Sequence, residues 1–146
     1  MDANDLVQQY EQGRFNFAEA SLVRAVLVGV TMPKLNLCRA NLQQANLSRS
    51  NLEDADFYKA ILEKVNFSHA QLHAAKLKRV RLQDGNLTAA DLSQADLTGA
   101  FLQGACLLNA DLSHANLSQA YVRAANLYQA NLTDADLYKQ EPSPAS

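Results

Sequence analysis

His69 and His73 stand four residues apart, the spacing with which a helix turns two imidazoles toward one metal ion. His114 is the remaining histidine, and the two cysteines, Cys38 and Cys106, lie in no CxxC pair and beside no histidine at ligand spacing. No Ser-His-Asp arrangement, HExxH motif or phosphate-cradling glycine loop accompanies them. These residues predict two thiols kept reduced in the cytosol, with no metal, no cofactor and no enzymatic activity. A second set suits recognition better than reaction. Ile61, Arg81, Phe101 and Tyr121 recur at a spacing of twenty, and arginine and tyrosine are enriched where proteins bind one another tightly.

Charge narrows the classes further. The 146 residues carry a formal net charge of −2, short of the basic excess of a general nucleic-acid binder and of the acidic surface of a nucleic-acid mimic. The charge is unevenly spread: residues 14–81 hold eleven basic and five acidic side chains, whereas 82–146 hold two and seven. Arg39, Lys59 and Arg79 also recur every twenty residues, and "KLKRVR" adds Lys76, Lys78 and Arg81 nearby. They predict a basic corner, either merely solvated or attracting an acidic partner protein. The N-terminus has neither a basic n-region nor an apolar h-region, and nowhere do eighteen apolar residues run together. The expectation is a cytoplasmic protein with no membrane contact.

The element that carries these residues is set by an internal repeat. Every fifth residue from Phe17 to Leu137 is apolar without one insertion, and 20 of these 25 are Leu. Two places earlier runs a small column, Phe15 to Ala135, with 18 Ala and Ser50 as its one polar member. Between the two, 15 of 25 residues are Asn or Asp. A five-residue period smears round a helix and alternates faces on a strand, so neither element alone buries the leucines. A chain that turns a corner in every unit does bury them, with the leucine and the small residue inward. Asn and Asp at such corners suit hydrogen bonds to the turning backbone rather than an acidic functional surface. In such a chain His69 and His73 point in different directions.

Units such as "ANLSQ" at 115–119, "ADLSQ" at 90–94 and "ADLTG" at 95–99 resemble the A(D/N)LXX pattern of the pentapeptide-repeat proteins, abundant in cyanobacteria. The resemblance covers residues 15–139 and implies an all-β fold, a right-handed quadrilateral parallel β-helix of four units per coil and about six coils. It further implies a non-enzymatic protein–protein interaction module in a regulatory or scaffolding role. Its alternative is the DNA-mimicking modulation of type II topoisomerase seen among quinolone-resistance members. Near-neutral charge and the lack of any loop between units depart from that second pattern.

In the twenty-residue frame Ile61, Arg81, Phe101 and Tyr121 stack as an outward ladder, with Cys106, Leu108 and Tyr128 adding apolar surface on the next face. The ladder is either a binding face for an unidentified protein or a stack that steadies neighbouring coils. Residues 1–14 are expected to form a helical cap, with Asp2 as N-cap, a helix over 3–12 and Gly13 as its stop. Val23, Val26 and Val28 are expected either to pack against that helix or to form a sticky edge. Residues 140–146 read as a flexible tail, which leaves the last coil without chain of its own over it; end-to-end pairing with a second copy, as the family resemblance suggests, is one way to cover it.

Overall fold

The structure, a computed structural model, describes residues 1–140, so most of the segment expected as a tail lies outside the described residues. Each five-residue unit forms one side of a coil. The Asn/Asp column pairs in parallel with the residue twenty ahead, from Asn16↔Asn36 to Asn116↔Asp136. Backbone bonds run both ways along the axis: Leu22 N–H donates to Asn41 O at 2.7 Å, and Asn41 N–H donates back to Ala20 O at 2.9 Å. Four sides of five residues therefore close one coil, and the chain is a parallel β-helix.

The corners carry an unusual backbone. Every second corner residue from Glu19 (φ 64°) to Lys139 (φ 59°) is left-handed, and only Gly29, Gly99 and Gly104 among them are glycine. At most corners the following small residue donates back across the turn, as Ala40 N–H does to Leu37 O at 3.0 Å. A positive φ in the third place of such a turn is the type II signature. L-residues avoid it, but from Glu19 to Gln119 these N–H groups are tied to the next coil, as Arg39 N–H is to Tyr58 O at 2.8 Å.

One donor per unit is left over, the N–H of the first corner residue, and the Asn/Asp column takes it. Asn41 Oδ1 accepts from Gln43 N–H at 3.1 Å, Asp91 from Ser93 at 3.0 Å and Asn116 from Ser118 at 2.9 Å. Thr31, outside the consensus, is followed two places on by Pro33, which has no N–H to satisfy. Asn116→Ala is accordingly expected to lower stability by about 1 kcal/mol, and Asn116→Asp to change it much less. Urea denaturation of both variants checks this; equal losses would mean the oxygen is not what matters.

Inside, the leucines and the small column form one continuous core along the axis, with Ala40, Ala60 and Ala100 fully buried. Phe57 and Phe67 come from opposite sides of one coil and meet edge to face, centroids 5.7 Å apart. Ser50, buried in the small column, donates its hydroxyl to Leu47 O at 2.5 Å, which removes the cost of a polar group there.

At the N-terminal end α1 (Ala3–Glu11) lies against the first coil. Asp2 Oδ1 accepts from Asp5 N–H at 2.8 Å, and Gly13, at φ 94°, follows the end of the helix. Leu6 is fully buried, and Tyr10 stacks edge-on with Phe15 and donates its hydroxyl to Pro33 O at 2.9 Å. Burial pushes the Tyr10 phenol above its ordinary value. Val23, Val26 and Val28 remain 44%, 68% and 47% exposed, so of the two expectations for them the uncovered edge is the one observed. At the other end Val122, Leu127 and Leu132 are partly covered and Leu137 is exposed. Gln140 follows in the small column and donates its amide to Leu117 O at 2.8 Å.

Candidate functional site

One side of the rod departs from the Asn/Asp pattern on four successive coils. Its bridged column runs Ser21, Asn41, Ile61, Arg81, Phe101, Tyr121. The rings of Phe101 and Tyr121 lie parallel within 1°, centroids 4.7 Å apart, so each covers one face of the other. None of the four departures can accept the leftover corner N–H as Asn does. Among the described residues the N–H groups of Glu63, Gln83, Gln103 and Arg123 have no side-chain acceptor. The same N–H also lacks a side-chain acceptor at Val23, Val28, His73, Lys78 and Leu108, but only on this side is the bond forgone on four successive coils.

The corner leading into this side carries Arg39, Lys59, Arg79, Gly99 and Gln119 in register. Together with the ladder they enclose an open groove of about 540 Å³, lined by Lys59, Ile61, Arg79, Arg81, Gly99, Phe101, Gln119 and Tyr121. Gly99 leaves a notch in its wall where the other corner residues carry side chains, and a Cβ there would make ordinary contact with Arg79 Cγ at 3.4 Å. Arg39 and Lys59 both lie near the Tyr58 ring, at 5.8 and 5.4 Å. The guanidinium of Arg81 is paired with Glu63 on the opposite corner. Among the described residues neither Lys59 nor Arg79 has a carboxylate at ion-pair distance.

The structure brings Ile61, Arg81, Phe101 and Tyr121 together with Lys59 and Arg79, and Arg39 stands one coil further along the same corner. Lys78 shares that corner, giving its carbonyl to Lys59 N–H at 3.1 Å. Lys76 does not: it sits in the middle of the preceding side, between Asp56 and Asp96 in the bridged column, beside a separate groove. It is two residues short of the turn, and one unit of five holds both a side and a corner. Half-buried Leu108 and exposed Tyr128 stand at the corner that ends the next side, the side of Cys106, and do not line the groove. Sequence reasoning missed two features, the Gly99 notch and a column of Gln43, Glu63, Gln83 and Gln103 along the opposite corner. Their signal was the same spacing of twenty. In that column Gln43 Nε2 donates to Glu63 Oε2 at 3.3 Å, while Oε1 of Gln83 and of Gln103 are buried without a partner among the described residues.

His69 and His73 fall on successive corners, and His73 Nδ1 lies 2.8 Å from Ser93 Oγ. His114 is 3.8 Å from Asp134, and Cys106 Sγ is 3.3 Å from Thr88 Oγ1. Among the described residues no three His, Cys, Asp or Glu side chains gather as metal ligands, and no helix is long and apolar enough to cross a membrane.

The family model described as pentapeptide repeats matches in eight copies, over residues 14–44, 40–79, 75–113 and 105–139. No curated protein matches the chain significantly. Among solved structures, the pentapeptide repeat protein Rfr23 from the cyanobacterium Cyanothece 51142 is 25% identical with a TM-score of 0.55, covering 94% of this chain and 99% of that one. QnrB1, a plasmid-mediated fluoroquinolone resistance protein in its R167E trypsin-treated form, is 18% identical with a TM-score of 0.50, covering 88% and 83%. HetL, involved in heterocyst differentiation regulation in Nostoc sp. strain PCC 7120, is 26% identical with a TM-score of 0.35, covering 93% and 94%.

Proposed function

The chain belongs to the pentapeptide-repeat family, and from that premise we propose that it is a non-enzymatic protein-interaction module, regulatory or scaffolding, that presents side chains on a rigid solenoid. On the same footing we read it as a right-handed quadrilateral helix of about six coils, residues 15–139, capped by residues 1–14. The observation that carries the function is the ladder of Ile61, Arg81, Phe101 and Tyr121 beside the basic corner. It combines aromatic and guanidinium groups in one groove and gives up a corner hydrogen bond on each coil to do so. Among the described residues the axis is filled by leucines and small side chains rather than by polar groups.

The second reading, modulation of type II topoisomerase by mimicry of DNA, has the fold behind it and no more, since likeness to QnrB1 at 18% identity speaks to architecture alone. Cations along the groove have the wrong sign for a mimic of phosphate. Inhibition of gyrase supercoiling at low micromolar protein would reverse this ranking.

The test of the leading reading is a Phe101→Ser, Tyr121→Ser double variant, shown to be folded and used beside the wild type to capture partners from lysate of the source organism. A protein held by the wild type and lost by the variant is the expected result. Identical partner lists would confine the ladder to a structural role.

A further inference from the structure

The groove itself indicates what kind of segment fits it, an inference that rests on the interaction reading and deepens it. Its two ends differ. Toward the N-terminal coils it is walled by Lys59 and Arg79, neither of which has an ion-pair partner among the described residues. Toward the C-terminal coils it is floored by Phe101 and Tyr121 and opened by the notch at Gly99. Among the described residues no carboxylate lines it, and Glu63, on the corner across the ladder, is already held by Arg81.

We propose that this groove binds an extended acidic segment of a partner protein, carboxylates toward Lys59 and Arg79 and one large apolar side chain in the Gly99 notch against Phe101. Three coil spacings of about 4.8 Å separate Lys59 from Gln119, which an extended strand at about 3.3 Å per residue crosses in four to five residues. Ring geometry favours a carboxylate over a nucleobase. Phe101 and Tyr121 lie against each other at 4.7 Å, which takes one face of each ring out of reach of a stacking base and admits none between them. Attraction between acidic segment and basic wall further makes association dependent on salt.

The experiment measures anisotropy of a fluorescein-labelled peptide of about ten Glu, Asp and Gly residues around one Phe, beside three other probes. These are the same peptide with Ala for Phe, a charge-inverted Lys/Arg version, and a single-stranded oligodeoxythymidylate. Two variants accompany the wild type. Lys59→Glu with Arg79→Glu reverses the wall, and Gly99→Gln fills the notch with a residue that Gln94 and Gln119 already show to be compatible with φ near 59°. The acidic Phe peptide is expected to bind the wild type, with affinity falling as salt rises. The Ala version and both variants should each bind it about tenfold more weakly. Equal binding of the Phe and Ala peptides, tight binding by Gly99→Gln, or preference for the oligonucleotide or the basic peptide would overturn the proposal. A partner captured from lysate through Phe101 and Tyr121 but not displaced by the acidic peptide would overturn this inference while leaving the interaction reading standing. A partner list unchanged by the Phe101→Ser, Tyr121→Ser variant would confine the ladder to a structural role and so remove the part of the reading on which this inference rests.

Discussion

Phe67→Ala is expected to cost about 3–5 kcal/mol of unfolding free energy, among the largest effects of any single truncation in the chain. The ring is fully buried at the middle of the axis and meets Phe57 from the opposite side at 5.7 Å, so its removal leaves a void bounded by the coil's own walls. Those walls resist collapse, because each side is tied to the coils before and after it by bonds such as Phe67 N–H to Asn86 O at 2.7 Å and Asn66 N–H to Ala45 O at 2.9 Å. Neighbouring coils stack on the same ring, and in a solenoid much of the stability lies in such interfaces. Phe67→Leu, which restores the residue most common in the column, should recover much of the loss. Urea or guanidinium denaturation of the two variants decides it, and a loss below about 1 kcal/mol for the alanine variant would contradict the packing described.

The second large effect is expected at a half-exposed alanine with no core contact to lose. Ala89 occupies a corner at φ 56° and donates its N–H to Leu108 O at 2.8 Å. Proline there demands φ near −65°, removes the donor and disfavours the preceding conformation, so Ala89→Pro should cost about 3 kcal/mol or more. Glycine at the same place relieves the left-handed strain of a Cβ. Ala89→Gly should therefore leave stability unchanged or raise it by up to about 1 kcal/mol, the reverse of its effect within a helix or strand. Thermal melts of the pair give the answer. A proline variant as stable as the parent would mean that the corner does not have the conformation described.

The five-residue period was legible because every side of the coil repeats one task, burying a leucine and a small residue before turning. The spacing of twenty was legible too, since Ile61, Arg81, Phe101 and Tyr121 interrupt the pattern once per coil. What the residues alone did not disclose depends on side-chain direction and on contacts between coils. Arg81 leans away from Arg79 to Glu63, and Gly99 opens a notch because Arg79 lies beside it. The first does not follow from residue type, and the second needs the neighbour as well as the glycine. Lys76 adjoins Lys78 in sequence but not at the corner, because two residues suffice to move from the middle of a side to its end. The Asn and Asp residues were read as partners of the corner backbone. The structure identifies the donor they serve, the first corner N–H that neither the coil ladder nor the turn employs.

The pairing of each residue with the one twenty ahead gives the chain a rule of arithmetic for insertions and deletions. Adding a whole coil lengthens the rod by about 4.8 Å and leaves every side chain downstream facing the same way. Adding a single unit of five, though equally compatible with the leucine core, turns everything beyond it by a quarter of a revolution and carries Phe101 and Tyr121 away from Arg79 and Arg81. A lineage of such chains can therefore vary freely in length only in steps of one coil if it is to keep a surface that spans coils, while the core by itself tolerates steps four times finer.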